Sequence, residues 1–177
     1  SGSVRATIVN ADGRFSIGQT LSSPAVIMPD FLFGKHTVYP CTVEAIDTVG
    51  ILKIAKADYL KMLNSDPAFL FNFLNTLSSN GQKALQGILS LTTGDIDERI
   101  AYWIGALTQP GAYDIVLTCR KRDLCSLFGM PRTVFDASLR SMKERNLLDY
   151  TSRELSIVDR AALLSLLQHN PEDNLSD

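Results

Sequence analysis

The chain has 177 residues, 45% hydrophobic and 20% charged, with a formal net charge of −2. That is enough for one large domain or two small ones around a real core, and no apolar run reaches the roughly eighteen residues of a membrane helix. Cys41, Cys119 and Cys125 contain no CxxC pair and are too few for a secreted disulfide framework. Ser1-Gly2-Ser3 has neither the basic nor the apolar region of a leader peptide, so a cytoplasmic protein with free thiols is expected. The charge is unevenly spread: residues 118–158 hold 8 Lys/Arg against 5 Asp/Glu, whereas residues 1–117 hold 8 against 10. A basic segment in an acidic chain marks a local anion-binding surface.

Val4, Ala6 and Ile8 alternate, Ala11-Asp12-Gly13-Arg14 turns, and Phe15, Ile17 and the run to Leu21 follow. Asp-Gly between alternating runs predicts a hairpin. Short apolar runs at Ala25–Met28, Phe31–Phe33, Thr42–Ala45 and Val49–Ile54 extend this to an antiparallel barrel or sandwich over residues 3–55. Its first strand reads as an interior one, so further strands are expected ahead of it.

A short helix is expected from Ala57 to Leu63. Asn64-Ser65-Asp66-Pro67 then starts a long one, with Asp66 as N-cap and Pro67 in the first turn. Leu70, Leu74, Leu77, Gly81, Ala84, Ile88 and Leu91 follow at spacings 4, 3, 4, 3, 4, 3, an a/d seam. Phe69, Phe71 and Phe73 are expected to pack this helix on its own sheet, leaving the seam for a second copy of the chain. Gly81 and Ala84 would let the two backbones approach. Thr93-Gly94 ends the helix, and Asp95 with Glu98 opens another, with Ile96, Ile100, Trp103 or Ile104, and Leu107 on one face. The carboxylates of Asp95, Asp97 and Glu98 are explained by the positive end of that helix dipole. Gln109-Pro110-Gly111 stops it, and a strand is expected over Ala112–Leu117.

Residues 121–145 have the layout of a helix-turn-helix. Lys121–Phe128 turns Leu124, Leu127 and Phe128 inward, Gly129 supplies the turn, and Pro131 opens a second helix. In that helix Phe135, Leu139 and Met142 form a core stripe. Thr133, Asp136, Ala137, Arg140 and Glu144 lie opposite, with Arg132 at the start and Lys143 at the flank. An apolar back and a polar, basic front are what a recognition helix needs. Leu147–Tyr150, a polar turn containing Arg153, and Leu155–Val158 read as a two-stranded wing. Arg120-Lys121-Arg122 adds phosphate-gripping charge.

The runs Arg122–Val134 and Leu139–Leu148 resemble the winged helix of the cyclic-AMP receptor protein/fumarate-nitrate-reduction regulator (Crp/Fnr) family. The resemblance implies an α+β fold: a partial antiparallel β-roll sensor, cyclic-nucleotide-binding-like, over residues 1–63, a dimerisation helix over 64–93, a winged helix over 94–168, and a tail over 169–177. It implies a homodimeric transcriptional regulator on double-stranded DNA, with RNA polymerase as a further partner. Arg132 matches the first arginine of the family's recognition helix. Thr133 stands where Glu is common and Ala137 replaces an arginine. Asp136 adds a carboxylate that can accept from cytosine or orient Arg132 or Arg140. Arg120, Lys121, Arg140, Lys143 and Arg153 complete the expected DNA surface.

The family's nucleotide cassette, Phe-Gly-Glu followed by Arg-Ser, matches Phe33-Gly34-Lys35-His36-Thr37-Val38-Tyr39-Pro40-Cys41. Lys35 replaces the ribose-binding Glu and Tyr39-Pro40 replace the phosphate clamp, which argues against cyclic AMP. Phe33, Gly34, Lys35, His36, Tyr39 and Cys41 are the expected effector pocket, for an effector the sequence does not name. His36, Cys41 and Met28 are haem-ligand types, but a loop residue and two core fillers account for them without haem. The three cysteines cannot build a four-cysteine cluster, and no metal site is expected. No GxSxG, HExxH, P-loop or dinucleotide motif occurs, and His36 and His169 are the two histidines, so no enzyme is expected. A sensing module without specific DNA binding is the alternative.

Overall fold

The computed structural model describes residues 1–92 and 94–168. The hairpin forms where Asp-Gly places it: Asn10 Oδ1 accepts from Phe15 N (3.0 Å), Asp12 Oδ1 accepts from Arg14 N, and Gly13 takes φ +69°. Strand β1 (Ser3–Val9) pairs with β2 (Ser16–Ser22), from Ser3 opposite Ser22 to Val9 opposite Ser16. Strand β3 (Cys41–Ala45) lies on the other side of β1.

The reading of residues 3–55 as a self-contained barrel or sandwich is corrected here. β2 gives its free edge to β4 (Tyr113–Thr118), beyond which lie β6 (Glu154–Ile157) and β5 (Leu148–Tyr150). The result is one open antiparallel sheet in the order β3-β1-β2-β4-β6-β5. The α+β, antiparallel class holds; the expected strands at Ala25–Met28, Phe31–Phe33 and Val49–Ile54 do not form. Pro24, Pro29 and Pro40 lack the N–H a ladder needs. Pro29 instead opens a 3₁₀ turn, Pro29–Phe31, and Ile51, Leu52 and Ile54 are exposed coil.

Helix α1 (Lys56–Ser65) meets α2 (Pro67–Leu89) at Asp66, whose Oδ1 accepts from Ala68 N (2.9 Å) and Phe69 N (3.1 Å). These bonds satisfy first-turn donors that no intrahelical partner can reach. The phenylalanines do not pack on the sheet as expected. Phe69 and Phe73 meet Tyr59 of α1, Phe73 also meets Phe33, and Phe71 is 64% exposed. The long helix leans instead on α3 (Ile96–Leu107). Gly87 permits this: a Cβ there would sit 2.5 Å from the Cβ of Ala106. Gly81, expected to serve close approach, has open space around it within this chain.

Helices α4 (Lys121–Leu127), α5 (Arg132–Glu144) and α6 (Arg160–Ser165) close over the sheet. Ile100, Ile104, Leu117, Phe128, Phe135, Leu139 and Leu163 are all at most 1% exposed, in a core that also takes in Ala6, Ile17 and Leu21 from the hairpin. Leu127, expected inside, is 40% exposed, because Leu124 and Phe128 occupy the inward face at spacing four. Among the described residues no helix is long and apolar enough to cross a membrane. His169 and the tail lie outside the described residues, as does Thr93.

Candidate nucleic-acid interface

The turn between α4 and α5 is closed by Met130 N donating to Cys125 O (3.0 Å) and by Gly129 at φ +63°, a conformation glycine adopts without strain. Pro131 precedes α5, its carbonyl accepting from Val134 N and Phe135 N. The back of α5 is the stripe Phe135, Leu139 and Met142, all 0% exposed. Phe135 stacks on Phe128, whose ring edge meets Trp103 of α3. Helix α5 is thereby seated on an aromatic base.

Its front carries Arg132, Thr133, Ala137, Arg140 and Glu144. All five are exposed, and Asp136 beside them is half-buried. Asp136 does not face outward alone. It accepts from Lys121 Nζ at 2.8 Å and lies 3.6 Å from Arg132 Nε. The Lys121 hydrogen bond, together with the charges of Lys121 and Arg132, outweighs burial and holds this carboxyl below the usual range. Lys121 is engaged a second time, 4.4 Å above the Tyr150 ring. Lys143 pairs with Asp149 at 2.6 Å and lies 5.8 Å from the same ring. Two of the expected DNA-contacting lysines are therefore held between the helices and the wing. Arg120, Arg140 and the side chain of Arg153 have no ion pair among the described residues.

The wing turn is built on Thr151, whose Oγ1 accepts from Glu154 N (3.0 Å) and Arg153 N (3.3 Å). Arg153 O accepts from Cys119 N (2.8 Å), tying the tip to the end of β4.

Three anchors escaped the sequence. Asp97 accepts from Ser138 Oγ and pairs with Arg145, joining the start of α3 to α5. Its role is thus more than the helix-dipole carboxylate expected. Arg99 donates to Phe128 O (3.2 Å) and Gly94 O (3.1 Å). Arg160, half-buried, donates to Thr108 Oγ1 (2.8 Å) and Thr108 O (3.2 Å) at the end of α3. Each joins distant parts of the chain or closes a helix end, and no local pattern announces such pairs.

The expected effector residues are scattered over a loop and an edge. Gly34, Lys35, His36 and Tyr39 are exposed, and Phe33 is half-buried against Phe73 with Lys56 Nζ 5.0 Å from its ring centroid. Cys41 sits on β3 opposite Ile8, its thiol pushed up by burial. No group of three or more His, Cys, Asp or Glu suited to a metal ion occurs among the described residues. A cleft of about 820 Å³ opens elsewhere, between the 24–31 segment, α2 and residues 105–111. None of those six residues lines it. Along α2, the seam residues Leu70, Leu74, Gly81, Ala84 and Ile88 are partly or fully exposed, and Leu77 and Leu91 are half-buried.

Comparison with solved structures finds similar outlines over nearly the whole chain. A Crp-family transcriptional regulator from Thermus thermophilus is 20% identical, with 97% of this chain and 87% of that one covered at a TM-score of 0.41. A CooA mutant from Carboxydothermus hydrogenoformans is 18% identical over 94% and 75%, TM-score 0.42. The catabolite activator protein of Thermus thermophilus is 17% identical over 93% and 76%, TM-score 0.36. Such values bear on neither effector nor operator. No curated protein matches the sequence. The family comparison falls on the segment whose geometry is described above: residues 98–166 match the Crp-like helix-turn-helix domain. From α3 through the wing to α6, the chain carries a segment similar to the Crp-like helix-turn-helix domain.

Proposed function

We propose that the protein is a homodimeric, sequence-specific DNA-binding transcriptional regulator whose DNA affinity is set by an effector bound in its N-terminal part. The observation that carries this is α5: a fully buried apolar back and an exposed front bearing Arg132 and Arg140, followed directly by a wing with Arg153 at its tip. Arg132, Thr133, Ala137 and Arg140 read or grip the major groove. Asp136 positions Arg132, and Lys121, Lys143, Arg120 and Arg153 supply phosphate contacts. The half-exposed seam from Leu70 to Leu91 supports pairing through α2, which would set two reading heads about 34 Å apart on a pseudo-palindrome. A cytoplasmic location and contact with RNA polymerase follow from the same reading.

The test is selection from random duplex DNA. A two-fold-symmetric motif, retained less well at higher salt, is expected. On that motif Arg132→Ala should cost about 1–3 kcal/mol if Arg132 makes a bidentate base contact. Undiminished affinity would remove Arg132 from the interface. Absence of any salt-dependent retention would favour a sensing module without DNA binding.

A further inference from the structure

The wing meets the helices through one aromatic ring. Tyr150 is the last residue of β5, directly before the wing turn, and packs partly buried against the core. Lys121 Nζ, at the start of α4, lies 4.4 Å from its ring centroid, and Lys143 Nζ, in the last turn of α5, lies 5.8 Å from it. Both are within the ~6 Å over which the negative face of an aromatic ring attracts a cation. The Lys121 side chain is only 18% exposed, so its ammonium has given up most of its water. Two groups replace that water: the ring and the Asp136 carboxylate at 2.8 Å. An aliphatic side chain at 150 would offer the ammonium no partner on that side, and a long cationic side chain that loses such a partner turns its head toward solvent. Asp136 in turn stands 3.6 Å from Arg132 Nε. A continuous line of contacts thus runs from the wing strand through α4 to the arginine at the start of α5. Lys143 adds a second tie: its pair with Asp149, whose Oδ1 also accepts from Tyr150 N at 2.7 Å, holds the same strand to the end of α5.

We propose that Tyr150 is a positioning residue of the DNA interface: its ring holds Lys121 against Asp136, and so fixes the carboxylate that orients Arg132. The proposal rests on the regulator reading and extends it to a residue whose side chain need not touch DNA. What the residue supplies is its π face, not its hydroxyl, so phenylalanine serves in its place and leucine does not. Discrimination between the motif and random duplex falls when the ring is lost, because Arg132 then samples orientations that match no particular base edge.

The experiment compares the whole chain with its Tyr150→Phe, Tyr150→Leu and Lys121→Met variants by fluorescence anisotropy, on the selected motif and on random duplex, and reads the ratio of the two affinities. That ratio cancels the phosphate contacts common to both duplexes. Tyr150→Leu should lower it roughly fivefold, and Tyr150→Phe should keep it within about twofold. Lys121→Met, which keeps the stem but not the charge, should reproduce the loss. Because ring and carboxylate act in series, Tyr150→Leu in an Asp136→Asn background should cost less than about twofold more. Proton NMR of the same samples without DNA reads the contact itself. The ring current should move the Lys121 ε-methylene upfield in the parent and in Tyr150→Phe but not in Tyr150→Leu, with amide dispersion confirming each fold. An unchanged ratio in Tyr150→Leu, or an equal loss in Tyr150→Phe, overturns the proposal. Full additivity with Asp136→Asn does so too, since the ring would then act on DNA directly, as does an unshifted Lys121 in the parent. A parent that selects no motif removes the regulator reading and the interface role with it, while the Lys121 shift still shows whether the ring holds the lysine, so the two failures are told apart.

Discussion

Replacing Asp136 with Asn should strengthen non-specific DNA binding and weaken discrimination. In the structure the carboxylate holds Lys121 at 2.8 Å and Arg132 at 3.6 Å, so two cations of the groove-facing side are partly neutralised before DNA arrives. Asparagine keeps an oxygen for Lys121 but removes the negative charge from the interface and the ionic tether on Arg132. If one cation per subunit becomes free to replace a phosphate counterion, the salt slope of a dimer steepens by ~1.8, at ~0.9 per contact. Between about 50 and 200 mM salt that is roughly a twelvefold larger loss of affinity than in the parent. The fold should barely notice, since partly exposed ion pairs contribute at most about 1 kcal/mol. Fluorescence anisotropy on a random duplex at several salt concentrations gives the slope, and the selected motif gives the discrimination. An unchanged slope with unchanged preference would show that Asp136 neither restrains these cations nor positions Arg132.

Leu74→Glu, at a seam residue 51% exposed in the single chain, should convert a dimer to a folded monomer in sedimentation velocity; a persisting dimer would place the interface elsewhere. Leu139→Ala, at 0% exposure, should cost about 2–5 kcal/mol in urea unfolding. Leu127→Ala, 40% exposed, should cost well under half as much, and equal losses would contradict the packing of α4. The Lys143–Asp149 pair has a defined pH window. The hydrogen bond from Lys143 lowers the Asp149 carboxyl, so its contribution is present above the ordinary carboxylate pKa of about 3.9 and fades as pH falls through the lowered folded value. Asp149 raises Lys143, so the contribution is full below about 10.4 and is lost as pH rises through the raised value. The difference in melting temperature between the parent and Asp149→Asn should therefore be flat from about pH 5 to 9, and a step near neutrality would refute it.

Local rules carried the sequence a long way. Asp12-Gly13 placed the hairpin, Asp66-Pro67 the start of the long helix, and Gly129 with Pro131 the turn before α5, because each acts on backbone geometry within a few residues. The stripe Phe135, Leu139 and Met142 was legible for the same reason, since helical periodicity alone decides which face is apolar. The matched helix-turn-helix over 98–166 is the segment where such signals are densest.

What only the tertiary structure decided is everything that depends on which distant surfaces meet. Apolar runs at 25–28 and 49–54 look like strands by composition, yet Pro24 and Pro29 flank the first with residues that lack a ladder N–H, and Ile51, Leu52 and Ile54 of the second are exposed coil. β4, from the far side of the long helix, took the edge of β2. Asp97 reads as a helix-dipole carboxylate until Ser138 and Arg145 arrive beside it from α5 and its C-terminal cap. Lys121 and Lys143 read as free cations until folding brings Asp136, Asp149 and Tyr150 within reach. The cleft has no sequence signature at all, because its walls come from β1, β2, the 24–31 segment, Pro40, α2 and residues 105–111, which only folding brings together. Periodicity and caps report a residue's own neighbourhood, whereas charge pairing and cavities are properties of the assembled chain.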